Sequence, residues 1–354
     1  MKRKRIVRLI VYSFVSFLAL LMIAGGYLWY SVHKTMDAMY EPLPSVKWEQ
    51  PRFENDAEGG LDNSPEPTER PGENETAAVI PLTVSDKDPT EPAIISEKDV
   101  ERLRNPKTGN EDPFSMLLLG VDERPGDRGR SDTMILLTLQ PRTGKAVALS
   151  IPRDTRVLMP NSGKYDKINH AYAFGGIPLS VEAVEHLFGV PIAYYIKTNM
   201  EGLVQIVDTM GGVDVDSLKA FEFDGQSFPI GKQHLNGVEA LAYSRMRKED
   251  PHGDFGRTQR QREILSELID QLTDANSIVK LPKILSHLSE YVRTNLSSGN
   301  MYDLASKYRP AISGIETLNL QGNGKMINGI YYYAITPEER RRIQEEMLKC
   351  LNAT

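Results

Sequence analysis

Arginines and aspartates recur in this chain at spacings suited to holding a phosphate-rich ligand. The densest stretch, Tyr243 to Arg262, carries Arg245, Arg247, Arg257, Arg260 and Arg262 around a Pro/Gly-broken turn that also holds Asp254 and Phe255. Guanidinium groups present flat forks of donors that match phosphate oxygens, and a helix start adds outward-pointing N–H groups. After the turn, Ile264, Leu265, Leu268, Ile269 and Leu272 recur at helical spacing. That helix places Arg257 and Gln261 on one face and Asp254 where it begins. Taken alone, a solvated basic face is the simpler reading.

Three further stretches change the balance. Gly120-Val-Asp122 and Arg130-Ser-Asp132-Thr flank a polar, Gly-rich loop, and two carboxylates so placed can share a hard divalent cation such as Mg²⁺. Ser150-Ile-Pro-Arg153-Asp-Thr puts an arginine straight after a core strand, and Lys164-Tyr-Asp-Lys-Ile-Asn169-His-Ala-Tyr follows. Each is weak by itself, since paired aspartates also form turns and Arg153-Asp154 also suits a local ion pair. Together, two carboxylates and arginines from distant segments argue for a metal–pyrophosphate site. The six histidines show no zinc-ligand spacing.

These residues need a scaffold. Phe114 to Asp122 reads as a buried strand that delivers a carboxylate at its end. Met134 to Leu139 and Ala146 to Ile151 flank a turn-rich connection and read as a hairpin. Helices are expected at 179–187, 200–210, from Asn236 to Tyr243, at 278–291 and at 301–308. Strands are expected at 193–196, 213–215, 315–320 and 329–335, and Thr336-Pro-Glu-Glu339 opens a final helix. The alternation predicts an α/β fold in which helices cover both faces of a central mixed sheet, a three-layer α/β/α domain over 113–354.

Composition limits what such a domain does. With 40% hydrophobic and 25% charged residues the chain buries a substantial core. The formal net charge is −6 although five basic residues and no acid precede residue 31, so the body is acidic. An acidic body argues against nucleic acid as a partner. A single cysteine, Cys350, excludes an internal disulfide and thiolate metal clusters, and reads as a packing residue. Residues 1–8 form a basic cytoplasmic end, and 9–30 an uncharged apolar run that at ~1.5 Å per residue spans a hydrocarbon layer of roughly 30 Å as one transmembrane helix. The body is then extracytoplasmic. Residues 31–112, rich in Pro, Glu, Asp, Gly and Ser, read as an acidic linker, with Ala77 to Val84 and Ala93 to Ile95 as short apolar pieces able to dock on the body.

The motif order resembles the LytR-CpsA-Psr family across about Pro113 to Leu272, and Asn328-Gly-Ile-Tyr-Tyr-Tyr is similar to its closing strand. The resemblance implies a membrane-anchored enzyme that moves a glycopolymer, such as teichoic acid or capsule, from a polyprenyl-pyrophosphate carrier to the C6 hydroxyl of peptidoglycan N-acetylmuramic acid. It implies that Asp122 and Asp132 hold Mg²⁺ or Mn²⁺. It also implies that Arg130, Arg153, Arg245, Arg247, Arg257 and Gln261 grip the pyrophosphate, with Arg245, Arg247 and Asp254 catalytic. The lipid tail calls for an apolar cavity, expected among 179–188, 203–210 and the helices after Ile264. Two other activities fit the same residues: hydrolysis of the lipid pyrophosphate, and non-catalytic binding of wall polymer.

Overall fold

In the computed structural model, residues 30–53, 91–123, 126–246, 254–273, 289–312 and 314–352 are described. After helix α1 (Glu97–Arg104) the chain lays down β1 (Phe114–Val121), β2 (Ser131–Gln140) and β3 (Lys145–Ser150). A small hairpin of β4 (Arg156–Met159) and β5 (Lys164–Lys167) leads into α2 (His170–Phe188), β6 (Tyr194–Asn199) and α3 (Met200–Met210). Short strands β7 (Val213–Ser217), β8 (Phe221–Phe223), β9 (Gln226–Phe228) and β10 (Gly231–Leu235) come next, then α4 (Gly237–Arg245) and α5 (Asp254–Thr273). The chain closes with β11 (Val292–Thr294), α6 (Ser298–Lys307), α7 (Arg309–Ile312), β12 (Ile315–Leu318), the hairpin β13 (Asn323–Ile327) and β14 (Ile330–Ala334), and α8 (Pro337–Asn352).

Six strands form one mixed sheet in the order β11-β6-β1-β2-β3-β12. The β1–β6 and β3–β12 pairs are parallel and the rest antiparallel. Alternation along β2 splits its apolar residues between the two faces. Met134 and Leu136 join a cluster with α1, α2 and α8, while Ile135, Leu137 and Leu139 join one that includes Tyr308 and Ala311. Fully buried leucines such as Leu117 and Leu136 each contribute on the order of 1.5–3 kcal/mol of burial free energy. A third, separate cluster gathers Val207, Val213, Phe221, Phe228, Tyr243, Ile264 and Leu268 from α3, the short strands, α4 and α5. Cys350 is buried in the first cluster, and that burial pushes its thiol up to about 11, as a packing residue requires.

The expected β1 strand, the β2–β3 hairpin and the 200–210 helix are all present. Asn236 caps α4 through a capping box, its Oδ1 accepting from the Glu239 N–H at 3.0 Å while Glu239 Oε2 accepts from the Asn236 N–H at 2.8 Å. The helix expected at 179–187 begins earlier, at His170, and kinks at Gly176, whose φ of 66° only glycine adopts without strain. Within the expected linker, described residues lie on the body. Ile95 and Leu103 are fully buried, Phe53 is buried, and the Tyr195 hydroxyl donates to Glu41 O at 2.8 Å. The 9–30 run lies outside the described residues apart from Tyr30, as does most of the 278–291 helix. Among the described residues, no helix is long and apolar enough to cross a membrane.

Candidate active site

The central strands bring the first group of site residues together. Val121 pairs with Ser131, and the Asp122 N–H donates to Arg130 O at 2.9 Å, so Asp122 and Asp132 sit at the adjoining ends of neighbouring strands. Gly129 makes this closure possible: its φ is +68°, and a Cβ there would collide with the Asp122 carbonyl. Both aspartates are half-buried and Arg130 is exposed.

Arg153 enters from the loop after β3. Its Nη1 donates to Asp132 Oδ1 at 2.8 Å, and its Nε lies 3.8 Å from Asp154 Oδ2. Lys167 Nζ donates to Asp154 Oδ1 at 2.7 Å and sits 6.0 Å from the Tyr332 ring centroid. Charges therefore alternate along Asp132–Arg153–Asp154–Lys167. Backbone pairing fixes this ladder from two sides. The Tyr333 N–H donates to Asp154 O, and the Ile168 N–H to Thr155 O, both at 2.8 Å. Because each charge is opposed, partial burial of Asp154 costs little and the arginine is held in one orientation.

Beside Asp122 stands a trio absent from the sequence reading. Lys197 Nζ donates to Glu123 Oε2 at 2.7 Å, and the Tyr172 hydroxyl approaches the same oxygen at 3.4 Å. Burial pulls the Lys197 pKa down, but the Glu123 hydrogen bond and nearby Tyr172 outweigh it and hold the ammonium above its usual range. The only hint in sequence was the position of Glu123 next to Asp122. Lys197 becomes visible only once β1 and β6 pair, setting it beside Leu119.

The second group rides on α4 and α5. Asp254 is the first residue of α5, as expected, while Arg247 lies outside the described residues. Arg257 is buried, at 6% exposure, and Arg245 is exposed, its Nη1 3.7 Å from Asp224 Oδ2. Gln261 Nε2 reaches Ser244 O at 3.5 Å. Arg260, which the sequence reading left out of the site, is the bracket of this region. Its Nε donates to Tyr243 O at 2.9 Å and its Nη2 to Met246 O, with the guanidinium 5.4 Å from the Phe221 ring and 5.8 Å from that of Tyr243. Burial pulls the Arg262 guanidinium below its ordinary pKa. Ile264 and Leu268 anchor α5 in the satellite core, while Leu265 packs against the cluster on the central sheet.

The structure thus assembles Asp122, Arg130, Asp132 and Arg153 at one strand-end locus, and Arg245, Arg257 and Gln261 on one helix pair. Carboxylates and guanidiniums gathered at the strand ends of an α/β scaffold have the chemistry that a phosphate-bearing ligand calls for. The LytR_cpsA_psr family model matches residues 77–349, and the chain belongs to that family. The chain is 47% identical over 243 residues to the polyisoprenyl-teichoic acid–peptidoglycan teichoic acid transferase TagU of Bacillus licheniformis, covering 69% of this chain and 79% of that protein. It also resembles the crystal structure of Bacillus subtilis TagU, at 42% identity and a TM-score of 0.56, covering 69% of this chain and 98% of that one. A structure described as TagT bound to LI-WTA matches at 31% identity and a TM-score of 0.60, covering 72% and 96%.

Proposed function

We infer that this protein is a membrane-anchored, extracytoplasmic transferase that moves a teichoic acid or related glycopolymer from a polyprenyl-pyrophosphate carrier to a peptidoglycan hydroxyl, forming a phosphodiester. Similarity to teichoic acid transferases supports the substrate class. The uncharged run at 9–30 supports the anchor. The observation that carries the chemistry is Arg153, fixed between Asp132 and Asp154 at the end of the strands that bear Asp122.

Pyrophosphate displacement needs neutralised phosphoryl oxygens and a stabilised leaving group. Arg153 is poised to donate to the diphosphate, with Arg130 and Arg245 exposed and able to close on it. Among the described residues no group of three or more His, Cys, Asp or Glu side chains is arranged to hold a metal. Two carboxylates are nonetheless what Mg²⁺ takes when substrate phosphates and waters complete its shell, so Asp122 and Asp132 fit it. Asp132 also keeps Oδ2 without a partner among the described residues. When bound, the ion would neutralise phosphoryl charge.

The test is transfer by the purified full chain in detergent, with a polyprenyl-pyrophosphate teichoic acid and peptidoglycan oligomers as acceptor. The expected product is the acceptor-linked phosphodiester, lost on chelation and restored by Mg²⁺. Phosphate release that is indifferent to acceptor would assign hydrolysis instead, and tight lipid binding with no turnover would assign a binding protein.

A further inference from the structure

The reaction above needs a group to take the proton of the attacking hydroxyl, a role not yet given to any residue described above. We propose that the Asp166–His170 dyad is that general base, an assignment that rests on the transferase reading.

His170 Nδ1 lies 2.9 Å from Asp166 Oδ2. A carboxylate only accepts, so Nδ1 carries a hydrogen, and in the ring's neutral form Nε2 is the acceptor. Asp166 is fixed in turn, its Oδ1 accepting from the Lys167 N–H at 2.7 Å. Nucleophile activation by an imidazole oriented through a carboxylate uses this same division of labour. Among the described residues Nε2 has no hydrogen-bond partner, and the residue is only half-buried, so a substrate hydroxyl can reach it.

Its location is what recommends it. The first turn of α2 touches both loops that carry the first group of site residues. On one side the Asn169 N–H donates to Arg153 O at 3.3 Å. On the other, the Tyr172 hydroxyl meets Glu123 at 3.4 Å, and Arg128 Nη1 donates to Phe174 O at 3.4 Å. His170 lies in that turn between them, with the exposed Phe174 ring edge-on at 5.8 Å. The charged groups on the elements packed around the turn are Asp166 and Lys167, Arg153 and Asp154, Glu123 and Arg128, and Lys197 over the Tyr172 ring.

In the step, the acceptor oxygen bonds to the glycopolymer-side phosphorus as the bond from that phosphorus to the bridging oxygen breaks. The electron pair departs with polyprenyl monophosphate. The hydroxyl proton passes to His170 Nε2 and is returned to solvent before the next turnover.

The experiment is single-turnover transfer by the full chain across pH at saturating Mg²⁺, with binding of the lipid-linked donor measured in parallel. In wild type a general base gives the rate an acid limb. His170→Gln is expected to lower the rate about 10²- to 10⁴-fold, abolish that acid limb and leave donor binding within threefold. Asp166→Asn keeps the imidazole and is expected to give a smaller loss with the limb retained. Added imidazole is expected to restore part of the rate to a His170→Ala variant. A His170→Gln rate within threefold of wild type, or a lower rate with the acid limb unchanged, overturns the proposal. So does loss of donor binding in a variant whose melting temperature is normal. Absence of transfer by wild type itself would sink the transferase reading and not the choice of base.

Discussion

The two arginine-bearing regions are built on opposite principles. At the ends of β1 to β3, every charged side chain in the Asp132–Arg153–Asp154–Lys167 ladder opposes another, and the main chain is pinned by β14 and residue 168. On α4 and α5 the exposed Arg245 has, among the described residues, a 3.7 Å contact to an exposed aspartate, and the buried Arg260 joins the two helices over a small core. The first region is preorganised for a small charged group, as transition-state stabilisation demands. The second stands on a separate, smaller core and offers the exposed Arg245 to a bulkier part of a ligand. A glycopolymer carried on a lipid diphosphate presents both kinds of part.

The sharpest way to break this contrast is to remove one arginine from each region. Arg153→Ala should lower the transfer rate about 10²- to 10³-fold, the scale of losing one preorganised donor. It should also destabilise the fold, since Asp132 loses its partner in a partly buried setting. Arg245→Ala should leave stability within about 0.5 kcal/mol, because an exposed pair at 3.7 Å contributes little, while weakening donor binding. Urea unfolding and single-turnover transfer on the same preparations read both. Equal stability losses for the two variants would erase the distinction.

Next in size is Arg260→Met, which keeps the apolar stem but removes charged hydrogen bonds to two carbonyl oxygens. A cost of about 1.5–3 kcal/mol is expected. Hydrogen exchange should localise the loosening to 213–246 and 254–273 and spare β1 to β3. If protection is lost evenly across the molecule, the satellite core is not an independent unit.

How much of this was legible beforehand follows from what a single strand or helix shows. Buried strands announce themselves as apolar runs, so Phe114 to Val121 and the β2–β3 hairpin could be read directly, and Asn236 marked a helix start. The short strands β4, β5, β8 to β11 and β13 could not, because three to five residues of mixed polarity give no period to detect. The site residues Asp122, Asp132 and Arg153 stood out because they punctuate core strands. Lys197 did not, since its role arises from pairing across the sheet, and Lys167 stood within a quoted motif while its partner Asp154 came only across loops. Arg260 was hidden by its neighbours, as five arginines in one stretch look alike until its hydrogen bonds to Tyr243 O and Met246 O single out the bracket.

The finest probe of the contrast is a pH effect confined to the satellite region. His234 lies 2.8 Å from Asp214 Oδ1 through Nδ1 and 2.9 Å from Gly211 O through Nε2. Both partners accept, so the arrangement is complete only when the imidazole carries two hydrogens, and the hydrogen bond it donates to Asp214 raises its pKa above the usual value. A histidine raised in the folded state adds stability that is whole below its unfolded pKa of about 6.5 and disappears as pH climbs through the folded value. The side chain is 60% exposed, so solvent screening keeps the effect under about 1 kcal/mol. Protection factors in 211–235 should therefore fall modestly from about pH 6 to pH 8 while those of β1 to β3 stay level, and His234→Gln should flatten the difference. A pH response of equal size in both regions would mean that the two cores open together, and that the looser grip on Arg245 has nothing to do with the scaffold beneath it.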